Sequence, residues 1–181
     1  MPPLSRQVIE RRALHLLRES GQLQLPVDVE QVANHLRIRV EYTNLDEDCS
    51  GLLVNRDGNA TVIGVNWDHH PNRQRFTIAH ELGHFALKHE GGTFVDKGTY
   101  ARFRDKDSYS GKITEEREAN QFAAALLMPA RLLKKEFADR LLDPGDQAAL
   151  EELVNNFQVS PQAMMFRLQN LRLLTAKNSP F

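Results

Sequence analysis

The chain has 181 residues, a formal net charge of −1 and one cysteine, Cys49. Hydrophobic residues make up 41% and charged residues 26%, which is typical of one globular domain with a sizeable core. This composition excludes a disulfide-stabilised fold and a strongly basic nucleic-acid-binding protein. Because no apolar run is long enough for a signal peptide or a membrane span, we expect a cytoplasmic protein.

Two helical patterns open the chain. Apolar residues recur at helical spacing from Leu4 to Leu17, and Ser20-Gly21 is a typical helix stop. Asp28 is a predicted N-cap, because its carboxylate can accept hydrogen bonds from the N–H groups of a following first turn. We therefore expect two N-terminal helices.

The period then changes from helical to alternating. Apolar and charged residues alternate over residues 38–42, which predicts a half-buried strand. Apolar runs at 52–54 and 61–65 flank Asp57-Gly58, a typical turn sequence for a β-hairpin. A small, mainly antiparallel sheet is therefore expected, and the hairpin is a candidate edge for pairing with an extended substrate.

The rest of the chain is mostly helical in pattern. One helix is predicted over 72–88, and another from an N-cap at Thr114 to Met128. Residues 90–113 lack a clear period, and an irregular stretch of this length is either a lid or plain surface structure. Three further helices are expected at 131–142, 147–157 and 161–174.

The last two predicted helices are joined by a short turn, in a rhythm similar to a helix-turn-helix. Arg167, Arg172 and Lys177 give them only a thin basic face, whereas DNA affinity usually rests on many phosphate contacts. We expect these helices to pack on the core, and we do not expect direct DNA binding.

The clearest chemical signal is the run His80-Glu81-Leu82-Gly83-His84. Residues four apart share one face of a helix, so His80 and His84 can reach one Zn²⁺. Glu81 then lies beside the ion, where a general base belongs. The alternative is a pair of core histidines that bond to backbone or carboxylate groups, as buried polar groups must.

A hydrolytic zinc site needs a third protein ligand and one open position. His89 lies on the opposite side of the predicted helix from His80, which makes it a poor ligand, exposed or distant. Glu118 lies on the inward face of the following helix and is the preferred carboxylate. Glu115 is the second choice, since it and Glu116 fall in the predicted first turn, where the helix dipole already explains acidic residues.

Other polar residues have open roles. Asn120 either orients a ligand or packs, and Cys49 is expected to be a small packed residue rather than a nucleophile. An oxyanion donor is also expected, with five candidates that the sequence does not rank. They are Tyr100, Tyr109, His69, His70 and His89.

Several segments together resemble the ImmA/IrrE family of metallo-endopeptidases. They are Arg75 to His84, Glu118 to Ala123, Leu126-Leu127-Met128-Pro129, the opening from Pro26 to Ala33 and the ending from Phe157 to Leu168. The resemblance implies that His80, His84 and Glu118 bind zinc and that Glu81 is catalytic. It also implies a cytoplasmic bacterial or phage protein that cleaves a helix-turn-helix repressor.

We therefore predict an α+β zincin-like metallopeptidase domain over residues 1–181, with a catalytic core in 1–142 and a helical section in 143–181. The predicted function is a regulatory, zinc-dependent endopeptidase in which Glu81 deprotonates the attacking water. The rival hypothesis is a non-proteolytic regulator that binds a repressor, a toxin or DNA and has a structural or vestigial metal site. An intact Glu81 argues against that rival, because a structural site has no use for this carboxylate.

Overall fold

Seven helices and four strands occupy the part of the chain that the computed structural model describes, residues 3–54, 61–89, 93–97, 106–136 and 142–174. The helices are α1 (Arg6–Glu19), α2 (Val29–His35), α3 (Pro71–Leu87), α4 (Lys106–Leu127), α5 (Ala130–Glu136), α6 (Gln147–Phe157) and α7 (Pro161–Leu171). The strands are β1 (Arg39–Thr43), β2 (Cys49–Val54), β3 (Val62–Asn66) and β4 (Thr93–Lys97). The predicted α+β class is confirmed. None of the described helices is long and apolar enough to cross a lipid bilayer.

Side-chain caps begin the two N-terminal helices. The Ser5 hydroxyl accepts a hydrogen bond from the N–H of Val8 at the start of α1. Asp28 accepts from the N–H groups of Glu30 and Gln31, at 3.1 and 3.0 Å, at the start of α2. These contacts satisfy donors that have no partner within their helix, and they confirm the predicted N-cap.

The strands form one four-stranded sheet in the order β1-β3-β2-β4. β2 pairs antiparallel with β3 and with β4, while β1 pairs parallel with β3. The prediction of a mainly antiparallel sheet is confirmed, although the Asp57-Gly58 turn lies outside the described residues. The expectation that the 52–65 hairpin supplies an edge is wrong, because β2 and β3 are the two inner strands.

Helix α3 lies close against the sheet at Gly51. A Cβ atom on Gly51 would lie 2.3 Å from the Thr77 side chain and 2.8 Å from the carbonyl oxygen of Gly64. No side chain fits in that space without moving backbone, so glycine at this position lets the helix and the sheet approach each other. The helix that carries the His-Glu motif is thereby fixed to the sheet.

Two helix boundaries in the C-terminal half differ from the sequence prediction. The N-cap at Thr114 is wrong, because α4 begins at Lys106, in a stretch whose residues show no apolar period. Part of the predicted irregular stretch is also regular, since 93–97 forms β4. The lid hypothesis for 90–113 otherwise rests on residues 90–92 and 98–105, which lie outside the described residues. Helix α7 ends at Leu171, because Arg172 adopts a left-handed backbone with φ of 57°.

A cluster of buried apolar side chains joins α1, the sheet, α3, α4 and the C-terminal helices. The largest fully buried members include Ile9, Ile63, Leu82, Phe122 and Phe157. Arg167 on α7 is also buried: it pairs with Glu10 of α1 and donates to the carbonyl of Met128 at 2.9 Å. The prediction that the last helices pack on the core is confirmed, and Arg167 serves this packing instead of a basic surface.

Candidate metal centre

Helix α3 places two imidazoles on one buried face. His70 caps its start by accepting from the N–H of Asn72 at 3.1 Å, and Pro71 occupies the first turn, where its fixed φ favours helix. His80 and His84 follow one turn apart, 3% and 1% exposed. Their Nε2 atoms are 3.0 Å apart, so the spacing of the motif does bring both nitrogens to one point.

The carboxylate that completes this cluster comes from Glu116 on α4. Its Oε2 lies 3.2 Å from Nε2 of His80, and its Oε1 lies 3.4 Å from Nε2 of His84. The side chain is half exposed, so one side of the cluster opens to solvent. These three residues form the candidate metal-binding group among the described residues.

The structure gives Glu116 the place that the sequence interpretation gave to Glu118. Glu118 is buried, and its Oε1 accepts from the backbone N–H of Leu4 at 2.6 Å. Its Oε2 lies 3.1 Å from Nε2 of His89. The sequence interpretation took Glu116 for a first-turn acid, but eight residues of α4 precede Thr114. Glu116 is therefore a mid-helix residue, for which the helix dipole offers no explanation.

A close approach of α3 and α4 sets the position of Glu116 along α3 relative to the two histidines. A Cβ atom on Gly83 would lie 3.1 Å from the Cα and carbonyl oxygen of Ala119 and 3.3 Å from Cβ of Phe122. Because Gly83 lacks that atom, α4 packs directly on the turn between His80 and His84. Glu116 lies nearly one turn before Ala119 and thereby reaches the Nε2 atoms.

His89 is not the distant residue that the helical projection predicts. Helix α3 ends at Leu87, and Lys88 adopts a left-handed backbone with φ of 59°. The N–H of His89 then bonds to the carbonyl of His84 at 3.1 Å, a Schellman motif that folds the chain back over the last turn. As a result the side chain of His89 is only 5% exposed, with Nδ1 3.0 Å from Nδ1 of His84.

Asn120, whose role the sequence left open, contacts the other histidine. Its Oδ1 lies 3.1 Å from Nδ1 of His80, so His80 is the donor in this bond. A neutral imidazole that donates through Nδ1 presents the lone pair of Nε2. The amide of Asn120 therefore orients His80 with its lone pair towards Glu116.

The protonation states of Glu116 and His84 favour the binding of a cation. Burial raises the pKa of Glu116, but the facing imidazoles of His80 and His84 outweigh burial and hold that pKa well below its ordinary value. Burial lowers the pKa of His84, against the opposing effect of the facing Glu116 carboxylate. Near neutral pH the carboxylate is ionised and His84 is neutral, which are the forms that bind metal ions.

The donor set suits a divalent ion. Two ligands that each lie about 2.0–2.1 Å from a tetrahedrally coordinated ion are about 3.3 Å from each other. The two nitrogens are 3.0 Å apart. Glu116 faces them with different oxygens, Oε2 at 3.2 Å from His80 and Oε1 at 3.4 Å from His84, and one ligand atom from each residue lies within 4.8 Å of the others. Two imidazoles with one carboxylate form a set that zinc accepts.

Comparison with known proteins assigns the chain to a family. The family model described as the IrrE N-terminal-like domain, Peptidase_M78, matches residues 33–169. The chain belongs to this family. The matched residues include β1 to β4, the His-Glu motif and all of α4, so the family assignment covers the whole candidate centre.

Solved structures support the fold of this family member. A structure titled "Mycobacterium tuberculosis transcriptional regulator" is similar, with a TM-score of 0.60 and 18% sequence identity. The match covers 90% of this chain and 46% of that chain, so this chain spans about half the length of that protein. At this identity the likeness concerns the fold alone. None of the curated protein sequences matches the chain.

Glu81, the predicted general base, is fully buried on α3 beside His80. Among the candidate oxyanion donors, His70 serves as the N-cap of α3, and His89 contacts His84 and Glu118. Tyr100 lies outside the described residues. Cys49 is buried and its thiol donates to the carbonyl of Gly51 at 3.4 Å, as expected for a packed residue.

A mainly apolar cavity of about 750 Å³ lies beside the centre. Phe76 and Asn120 line it on the side of His80, and Phe166, 57% exposed, lines it on α7. The ring centroid of Phe76 is 6.4 Å from that of His80. The cavity therefore offers room for apolar side chains close to the candidate metal ligands.

Proposed function

We propose that this chain is a zinc-dependent endopeptidase that acts on a protein partner, with a helix-turn-helix repressor as the candidate substrate. The single observation that carries the proposal is the convergence of His80, His84 and Glu116. The buried Glu81 follows His80 directly in the chain. Membership of a peptidase family supports it. The transcriptional regulator among similar structures fits a regulatory role.

The proposed ligands are His80, His84 and Glu116, in place of the Glu118 that the sequence favoured. Two imidazoles and one carboxylate would hold a divalent ion with three protein ligands, which is the ligand number of hydrolytic zinc sites. Zinc is the proposed ion, because imidazole suits it and a tetrahedral set disfavours magnesium and calcium. The half-exposed side of Glu116 provides the approach from solvent.

The chemistry divides between the ion and Glu81. A divalent ion held by these three residues would supply Lewis acidity for the activation of water and of a scissile carbonyl. Glu81 takes the proton from the attacking water and delivers it to the leaving amine, so the carboxylate returns to its starting form. Burial of Glu81 keeps this proton transfer away from bulk solvent. The apolar cavity beside His80 takes side chains of the substrate.

The test compares the wild-type chain with Glu81→Gln at equal zinc loading, on a helix-turn-helix repressor as substrate. Loss of a general base typically lowers the rate by about 10²–10⁴-fold, so we expect cleavage by the variant to fall by that factor. Glu81→Gln should bind zinc as the wild type does, because Glu81 is not a ligand. Equal regulatory activity of both proteins would instead favour the non-proteolytic regulator and overturn the proposal.

A further inference from the structure

The proposed metal centre has a second layer that the family comparison does not assign. Behind His84, on the side away from Glu116, lie His89 and Glu118. The side chains of both are almost completely buried, 5% and 9% exposed. Burial of imidazole and carboxylate groups costs free energy unless these groups are hydrogen-bonded, so the hydrogen-bond partners of this pair are informative.

Donors and acceptors in this layer can be assigned from the chemistry of each group. An ionised carboxylate only accepts hydrogen bonds. Glu118 accepts from the N–H of Leu4 with one oxygen, at 2.6 Å, and from Nε2–H of His89 with the other, at 3.1 Å. A neutral imidazole that donates through Nε2 has an acceptor at Nδ1. His89 Nδ1 therefore accepts from Nδ1–H of His84, over 3.0 Å.

The same logic then fixes His84. With its proton on Nδ1, His84 presents the lone pair of Nε2 to the cluster, 3.0 Å from Nε2 of His80. His80 is set in the same way by Asn120. The two proposed ligand histidines are thus oriented by different partners. The amide of Asn120 orients His80, and the buried side chains of His89 and Glu118 orient His84.

We propose that His89 and Glu118 form a positioning pair that holds His84 in its metal-binding tautomer and ring orientation. This inference rests on the proposed metal centre. It assigns Glu118, the carboxylate that the sequence favoured as a ligand, to the support of a ligand histidine. Neither residue contacts the ion or the substrate. Partners of this kind are typically worth about 10–100-fold in metal affinity.

The experiment measures the zinc dissociation constant at pH 7 by competition with a chromogenic chelator, on the full chain. His89→Gln keeps an acceptor and a donor at the tip of a chain that is similar in length to that of Met, whereas His89→Met has neither. We expect His89→Met to bind zinc about 10–100-fold more weakly than wild type. We expect His89→Gln to stay close to wild type.

Substitution of Glu118 by Gln and by Met tests the carboxylate in the same way. Glu118→Gln keeps an oxygen that accepts from His89, and Glu118→Met removes it, so only the second should weaken zinc binding strongly. His15, whose side chain is 71% exposed, provides the matched surface control. His15→Gln and His15→Met should both bind zinc as the wild type does. Equal affinities for the Gln and Met variants at position 89, whether both strong or both weak, would overturn the proposal.

A second measurement does not depend on any variant folding. Nitrogen-15 NMR of the zinc-loaded wild-type chain should show the proton of His84 on Nδ1 and that of His89 on Nε2. A proton on Nδ1 of His89 would contradict the positioning pair. Failure of the peptidase proposal looks different: the wild type and Glu81→Gln would bind zinc equally and cleave nothing, while the zinc affinities of the position-89 variants would still test the pair.

Discussion

Helices α3 and α4 contribute to the same candidate centre in different ways. On α3, the two histidines are four residues apart, and the helical repeat puts both side chains on one face, where their Nε2 atoms are 3.0 Å from each other. On α4, three acids lie within four residues, and the helical repeat points them in different directions. Which acid reaches the histidines depends on how far α4 is shifted along α3.

The contrast shows that spacing within a helix and spacing between helices have separate causes. The first follows from backbone geometry, with 3.6 residues per turn in any sequence. The second follows from packing at Gly83, where α4 lies on α3 without an intervening side chain. A shift of one residue in α4 would rotate its face by about 100° and replace Glu116 by a neighbour.

The largest expected effect comes from removing the carboxylate that this packing selects. Glu116→Ala should weaken zinc binding by more than about 100-fold, which exceeds the loss typical for residues that only hydrogen-bond to a metal ligand. Glu118→Met should have a smaller effect, and Glu115→Ala should have none. The measurement is the same chelator competition on all three variants. A larger loss for Glu115→Ala than for Glu116→Ala would mean that α4 has a different register.

A methyl group at the contact between the helices should have an intermediate effect. In Gly83→Ala the new Cβ lies about 3.1 Å from backbone atoms of Ala119, so α4 must move. Overpacking of this kind typically costs about 1–3 kcal/mol in the free energy of unfolding, measured with urea. The preference of a helix interior for Ala over Gly offsets about 0.5–1 kcal/mol of that cost, so we expect a smaller net loss. Zinc affinity should fall as well, since Glu116 moves with α4.

Gly145→Ala is the matched control for this substitution. A Cβ there would meet only a carboxylate oxygen of Asp143, at an ordinary 3.4 Å. Its free energy of unfolding should stay within about 0.5 kcal/mol of wild type, and its zinc affinity should be unchanged. If Gly83→Ala behaved like Gly145→Ala in both measurements, packing at Gly83 would not set the register of α4.

The smallest effect concerns the end of α3, where the chain folds back. Lys88 has a left-handed backbone, which a residue with a Cβ adopts at a cost and glycine adopts freely. Lys88→Gly should raise the free energy of unfolding by about 0.5–1 kcal/mol, after the greater flexibility of the unfolded chain is counted. Lys88→Ala keeps the Cβ and should show no gain. A loss of stability in Lys88→Gly would show that the lysine side chain itself stabilises this turn.

Where the sequence prediction failed, the reason is a contact between distant parts of the chain. His89 looked remote because the helical projection was continued past Leu87, but a left-handed residue ended the helix. Glu118 looked like the ligand because it lies on the inward face, and it is indeed buried. The inward face, however, meets both the metal cluster and Leu4 of the N-terminal segment, which is 114 residues away in the sequence. No local sequence pattern shows which acid of α4 reaches the histidine cluster and which one reaches Leu4.

Sequence patterns were enough to predict the α+β class, the N-cap at Asp28, the two-histidine face of α3 and the resemblance to a peptidase family. Each of these follows from periodicity, capping chemistry or a motif carried by neighbouring residues. Three other features became visible only in the packed fold: Glu116 joins the histidines, His89 and Glu118 lie behind them, and β2 and β3 are inner strands. These features depend on the relative positions of packed elements, which are set by close contacts such as those at Gly51 and Gly83.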